Sequence, residues 1–393
     1  MKFSRRLDLL KPYVFVEIAR IIARKRSEGI EVVSFGVGDP DMPTPNVVID
    51  RLVNSARDPV NHRYPETDGL PRLREAIASW YNSRFGVSHL DPTSEVLPLI
   101  GAKEGVGHVA FCFLDAGDIA LVPDPAYPVY GVGTMFAGAD VYTMPLYESN
   151  GWLPVLEDIP VDIAKKSKVM WLNYPNNPTG AVADKGFYQK AIQFAKEYEI
   201  ALLHDAAYSE NVYEGYKALS IMELDGAKDV SMEFHSLSKL FNMTGWRFGM
   251  AVGNSEMVQG LFKIKSNLDS GIPQAIQEMA IEALSGSQIY IDQNNSVYQS
   301  RRDKLVRALN DIGLKVTSPQ AALYLWAQVP DGYTSESFTA RLLDDLAIAV
   351  TPGSSFGECG EGYIRLSLTT PDNMIDKGVE RLLSWKNPSV SGG

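Results

Sequence analysis

The chain has 393 residues, 45% hydrophobic, 22% charged and 10% aromatic, a composition that excludes disordered, collagen-like and coiled-coil architectures and suggests two domains. With 37 Lys and Arg against 48 Asp and Glu, the net charge of −11 argues against a basic nucleic-acid surface, though a few placed cations can still build a local anion pocket. Two cysteines far apart, Cys112 and Cys359, make neither a disulfide framework nor a four-cysteine zinc site.

In chain order, residues 14–28 predict an amphipathic helix with Val14, Ile18, Ile21 and Ile22 on one face. Glycine and proline crowd 36–45 into a rigid loop. From residue 70 helix and strand alternate. Helices are expected over 70–85, 103–114 and 187–198. Strands are expected over 96–100, 119–122, 169–172, 200–203, 230–234 and 248–252. Such alternation implies βαβ units, a largely parallel sheet covered on both faces, and ligands bound in the loops beyond the strand ends. After about residue 275 a long helical stretch, 274–310, leads to an α+β tail with strands at 323–327 and 363–368. The domains are therefore expected as 46–275 (large) and 276–393 (small), with the helix and loop of 1–45 joining the small one. Residues 387–393 read as a frayed end. No apolar run approaches the roughly 20 residues of a membrane span. The acids Asp8 and Glu17 and the lack of an apolar leader point to a soluble cytoplasmic enzyme.

Four loop motifs carry chemistry. Lys239, in Ser236-Leu237-Ser238-Lys239, is a nucleophilic amine if desolvation and a cation, such as Arg247 eight residues on, keep it neutral; alone it also reads as a surface lysine beside a turn. Asp205 ends an apolar strand, where a carboxylate is costly unless it meets a cation, and Tyr208 follows three residues later; alone, Asp205 also reads as a helix cap. Asn177 sits in a turn held by Pro175 and Pro178. Gly101-Ala102-Lys103 opens a helix, where free N–H groups suit a phosphate, but it lacks a Walker pattern. His62, His89, His108, His204 and His235 show no metal-ligand spacing, and no metal is expected.

In this order and spacing, together with Tyr127, these motifs resemble the class I/II aminotransferases, the fold-type I pyridoxal phosphate enzymes, over nearly the whole chain. The resemblance implies an α/β fold with a mostly parallel seven-stranded sheet and a smaller α+β domain, pyridoxal 5′-phosphate as cofactor, and a homodimer with the active site at the subunit interface. Lys239, Asp205 and Tyr208 become the catalytic groups. Lys239 would hold the cofactor covalently, Asp205 its ring nitrogen, Tyr208 and Asn177 its ring oxygen, and Tyr127 its face. Ala102, Lys103, Ser236, Ser238, Arg247 and, from the other subunit, Tyr64 would hold the phosphate. Arg365 would grip the substrate α-carboxylate bidentately, beside Gly38.

Arg5-Arg6-Leu7, Lys11-Pro12-Tyr13, Tyr64-Pro65-Glu66-Thr67-Asp68-Gly69-Leu70 and Lys265-Ser266-Asn267-Leu268-Asp269-Ser270-Gly271 are similar to the L,L-diaminopimelate aminotransferases. That resemblance implies transamination between L,L-diaminopimelate and 2-oxoglutarate in lysine biosynthesis, running physiologically from tetrahydrodipicolinate. Tyr13, Lys103 and Asn267 would then meet the distal end of the substrate. The 265–274 stretch contains no arginine, which disfavours a dedicated aspartate enzyme. A broader alanine, methionine or aromatic aminotransferase and a pyridoxal phosphate C–S lyase stay open. A DNA-binding regulator on the same fold is disfavoured by the acidic charge and by family-like sequence beginning near Leu9.

Overall fold

The structure is a computed structural model that describes residues 2–10 and 14–385. Tyr13 and the expected frayed end at 387–393 lie outside the described residues.

A seven-stranded sheet forms the centre of the larger unit, in the spatial order 96–99, 249–253, 231–236, 201–205, 167–172, 119–124, 140–145. All neighbours pair in parallel except Gly249–Gly253, which runs antiparallel to both its partners. Buried Val, Leu, Met and Trp side chains form a separate apolar core on each face, as expected of a mainly parallel sheet covered on both sides. Helix Pro71–Phe85 shows how locally the sequence punctuates these layers: it starts with Pro at its first turn and ends at Gly86, which is left-handed at φ 70°. Lys185–Tyr198 starts instead on Asp184, whose side chain accepts from the Phe187 N–H.

A second core is built on an antiparallel sheet of 351–352, 363–367 and 324–328. The N-terminal segment reaches it directly. Val33–Ser34 pairs in parallel with Ile348–Ala349, and Phe35 O accepts from Ser367 N–H. Ile18 and Ile22 of helix Val14–Ser27 pack with Val32 and Ala349.

The stretch 103–114 forms two short helices, Ala102–His108 and Ala110–Phe113, joined at Val109, whose φ and ψ of −61° and −26° remain helical. The stretch 274–310 is divided into Gln274–Ser285 and Ile289–Asp311. Gly286 and Ser287 interrupt it, and the Gln288 side chain donates to Ala283 O and Gly286 O, ending the first helix. Met279, Ala280, Ala283, Leu284 and Ile291 belong to the core of the larger unit, whereas Tyr298, Leu305, Ala308 and Leu309 belong to the second. The change of core thus falls within the long helix, after Ile291. The helices Asn46–Ala56, Val129–Ala137 and Ser255–Leu268 and the strand Asp140–Pro145 add to the elements expected from sequence.

Candidate active site

The strands ending at Leu172, Asp205 and Ser236 open onto one cavity of about 330 Å³ between the two cores. Twelve of the expected site residues line it. Gly38, Ala102, Lys103, Tyr127, Asn177 and Asp205 do so, as do Tyr208, Ser236, Ser238, Lys239, Arg247 and Arg365. Two do not. Tyr64 is 88% exposed on the outside of the chain. Asn267 is exposed near the end of helix Ser255–Leu268, donates to Lys263 O at 2.8 Å, and faces a different hollow beside Phe111 and Leu268. Within one chain, neither joins the cavity residues.

Lys239 sits on the short helix Leu237–Leu240, directly after the strand Ser231–Ser236. Its Nζ donates to Gly38 O at 2.5 Å. Burial lowers its pKa from 10.5 to about 8; the Asp39 carboxylate opposes that shift, and the Arg365 and Arg247 guanidinium groups reinforce it. The amine therefore keeps a substantial neutral fraction near pH 8.

Asp205 is 7% exposed. Burial pushes its carboxyl above the usual range, against the Tyr130 hydroxyl and the Ala207 N–H, which donate to it at 2.7 and 3.2 Å. A buried carboxylate hydrogen-bonded to two neutral donors suits a cationic group placed against it. Asn173 fixes the neighbourhood: its Nδ2 donates to Asp205 O at 2.7 Å, and its Oδ1 accepts from Asn177 N–H at 2.8 Å.

Arg365 is 1% exposed. It donates through Nη1 to Asn177 Oδ1 at 2.8 Å and through Nη2 to Gly36 O at 2.9 Å. Its guanidinium lies 4.2 Å from the ring centre of Tyr324 and 4.7 Å from that of Phe356.

At the other end, Arg247 adopts a left-handed backbone at φ 54° and donates to Thr244 O at 2.7 Å. Its guanidinium crosses so close to Gly101 that a Cβ there would lie 2.3 Å from Nη2. Gly249 meets the same constraint from below, since a Cβ would lie 2.3 Å from the Ala102 nitrogen. The Ser236 hydroxyl accepts from Ser238 N–H at 3.1 Å. Lys103, Lys239, Arg247 and Arg365 face only Asp39 and Asp205 among the cavity's charged residues, so an acidic chain encloses a cationic site.

Sequence reasoning missed a supporting layer. Tyr130 lies three residues after Tyr127, a spacing that could have pointed to it. Tyr324, Asn173 and Thr244 also line the cavity. Arg301 clamps Asp41 at 2.6 and 2.9 Å and so anchors the 36–45 loop, a pairing across 260 residues that no local pattern signals. Among the described residues no group of three or more His, Cys, Asp or Glu could hold a metal ion, and no helix is long and apolar enough to cross a membrane.

Residues 30–382 match the family model "Aminotransferase class I and II". The chain is 59% identical over 389 residues to the LL-diaminopimelate aminotransferase of Dehalococcoides mccartyi (strain CBDB1), covering 99% of this chain and 100% of that one. It is 49% identical over 382 residues to the protein of that name from Moorella thermoacetica, covering 97% and 98%. Among solved structures, substrate-bound BacF from Bacillus subtilis superposes with a TM-score of 0.93 at 37% identity, over 98% of each chain. A Thermus thermophilus aspartate aminotransferase double mutant superposes with a TM-score of 0.90 at 28% identity, over 98% of this chain and 99% of that one.

Proposed function

The chain belongs to the class I and II aminotransferases, and from that premise we propose that it transfers the amino group between L,L-diaminopimelate and 2-oxoglutarate. The observation that carries the amino donor is the 59% identity, over 99% of this chain and 100% of the relative, to an LL-diaminopimelate aminotransferase, and 2-oxoglutarate as acceptor follows from the family resemblance.

Pyridoxal phosphate is the cofactor of this family, and the cavity fits it at both ends. The glycines at 101 and 249 clear a cradle that a Cβ would fill, beside Arg247, Ser236, Ser238 and the backbone of Ala102 and Lys103, which suits the phosphate. The buried Asp205, with neutral donors on both oxygens, suits a protonated ring nitrogen. Asn177 and Tyr208 are assigned to the ring oxygen and Tyr127 to the ring face. When bound, the cofactor supplies an electron sink for the charge left at the substrate Cα.

The chain's own groups do the rest. Lys239 Nζ would hold the cofactor until the substrate amine displaces it, and the freed amine, partly neutral near pH 8, would then take the proton from the substrate Cα. Arg365 turns its planar guanidinium to the substrate α-carboxylate, and Asn177 and Gly36 O fix its plane. Gly38 is assigned to the place where backbone approaches the substrate, and the space a Cβ would take there is held by the Tyr324 hydroxyl. Lys103 meets the distal carboxylate. Tyr13 and Asn267 are assigned with Lys103 to the distal end of the substrate, and Tyr64 to the phosphate of the other subunit in a homodimer.

The test is a half-reaction without oxo acid. Cofactor-loaded enzyme mixed with L,L-diaminopimelate should lose the visible absorbance of the lysine-bound cofactor rapidly, with little response to alanine, methionine or phenylalanine. No loss with L,L-diaminopimelate but clear loss with one of the others would remove this substrate assignment while keeping the aminotransferase.

A further inference from the structure

Tyr324 begins the strand Tyr324–Gln328 and is 2% exposed, yet it lines the cavity. Three groups with separate assignments converge on it. Its hydroxyl lies 2.8 Å from the hydroxyl of Tyr208, which follows the large-sheet strand 201–205 and packs in the same core as Tyr324. Its ring face carries the Arg365 guanidinium at 4.2 Å. A Cβ at residue 38 would lie 2.3 Å from its hydroxyl, so the hydroxyl packs directly on the Gly38 backbone.

We propose that Tyr324 is a positioning residue for amino transfer: its hydroxyl donates to the Tyr208 oxygen and its ring seats Arg365, so that one side chain aligns the donor to the cofactor ring with the grip on the substrate carboxylate. The inference rests on the aminotransferase reading and deepens it. A phenol that accepts one hydrogen bond becomes a better donor of its own proton, because linked hydrogen bonds polarise one another. With Tyr324 as donor, the Tyr208 proton is left to point into the cavity. A guanidinium over a ring face, out of water, is held both by the ring's negative face and by its planarity. The charged and titratable groups facing the hydroxyl pair are Arg365 from strand 363–367, Asp205 from the end of strand 201–205, Tyr130 from helix 129–137 and Tyr298 from helix 289–311, with Lys239 and Asp39 across the cavity.

Two substitutions separate the hydroxyl from the ring, both made in the cofactor-loaded, full-length protein with its thermal midpoint recorded. Y324F keeps the ring. It should raise the pH midpoint of the visible absorbance titration by about half to one unit, because a weaker Tyr208 donor favours the protonated chromophore. It should lower kcat about threefold to tenfold with KM nearly constant. Y324L removes the ring. It should also raise KM for both L,L-diaminopimelate and 2-oxoglutarate, by about threefold to thirtyfold. A Y324F protein with unchanged titration midpoint and unchanged kcat overturns the proposal, even if Y324L fails to fold. So does a Y324L protein that folds with unchanged KM. If instead the wild type ignores L,L-diaminopimelate but converts with another amino acid, and Y324F still shifts the titration, the substrate reading fails and the role of Tyr324 stands.

Discussion

At the scale of single residues, the site is governed by how the protein sets the charge on one amine. Burial is the largest cause of the lowered Lys239 pKa, and Arg365 and Arg247 lower it further. The sign is direct: a lysine that titrates near 8 gains its neutral, nucleophilic form as pH rises through 8, whereas an ordinary one waits until about 10. The rate at which cofactor-free protein captures pyridoxal 5′-phosphate should therefore rise with pH and level off above about 8. Asp39 pulls the other way, so D39N should move that midpoint below the wild-type value. An unchanged or higher midpoint in stopped-flow capture would show that Asp39 does not act on the amine. The expectation of a lysine activated by desolvation and a neighbouring cation was legible in the sequence, because Lys239 and Arg247 flank one short turn. The opposing Asp39, the hydroxyl of Tyr130 on Asp205 and the bridge through Tyr324 were not, because each pairing is made across the fold.

At the scale of elements, the readable parts were those with a strong one-dimensional signal. The buried strands 96–99, 167–172 and 201–205 are short apolar runs ended by Gly, Asn or Asp, and they stand where the pattern puts them. Strand 140–145 escaped because it lies at the sheet edge, with only Met144 buried among its six residues, so it carries little hydrophobic signature. What no pattern could show is the direction of 249–253. That antiparallel strand brings Gly249 beneath the start of helix Ala102–His108, and the site depends on this crossing. G249A would put a Cβ against immobile backbone at Ala102 rather than against a flexible side chain. A loss of about 1–3 kcal/mol in stability is expected, the usual cost of overpacking, together with weaker cofactor retention. G245A, four residues earlier, meets nothing within 4 Å and has an ordinary backbone, and should be near neutral. Thermal unfolding and cofactor dissociation of the two variants check the contrast; equal behaviour would mean that the crossing is not tight in solution.

At the scale of the whole molecule, the cavity is closed by segments that belong to different cores. The loop 36–45 leaves the second sheet at Phe35, places Gly38 O on Lys239, and is pinned by Arg301 on Asp41. The Asp124 carboxylate, at the end of a large-sheet strand, accepts from the N–H groups of Glu358 and Cys359, next to the Phe356 that covers Arg365. One chain thus holds both sets of groups in register but leaves Tyr64 pointing away from them, 88% exposed. A dimer with twofold symmetry resolves this, because each copy can then lend its Tyr64 to the other. Complementation tests the idea without any image of the interface. K239A protein should be inactive, and a Y64A variant should bind cofactor poorly and turn over slowly. In a hybrid of the two, one site combines the intact Lys239 of one chain with the intact Tyr64 of the other, while the second site carries both defects. After unfolding and refolding an equal mixture, half the dimers are hybrids with one complete site, so activity should recover to about a quarter of wild type. If Tyr64 serves its own chain's cavity, or no cavity, the mixture will show no more than the average of its two components.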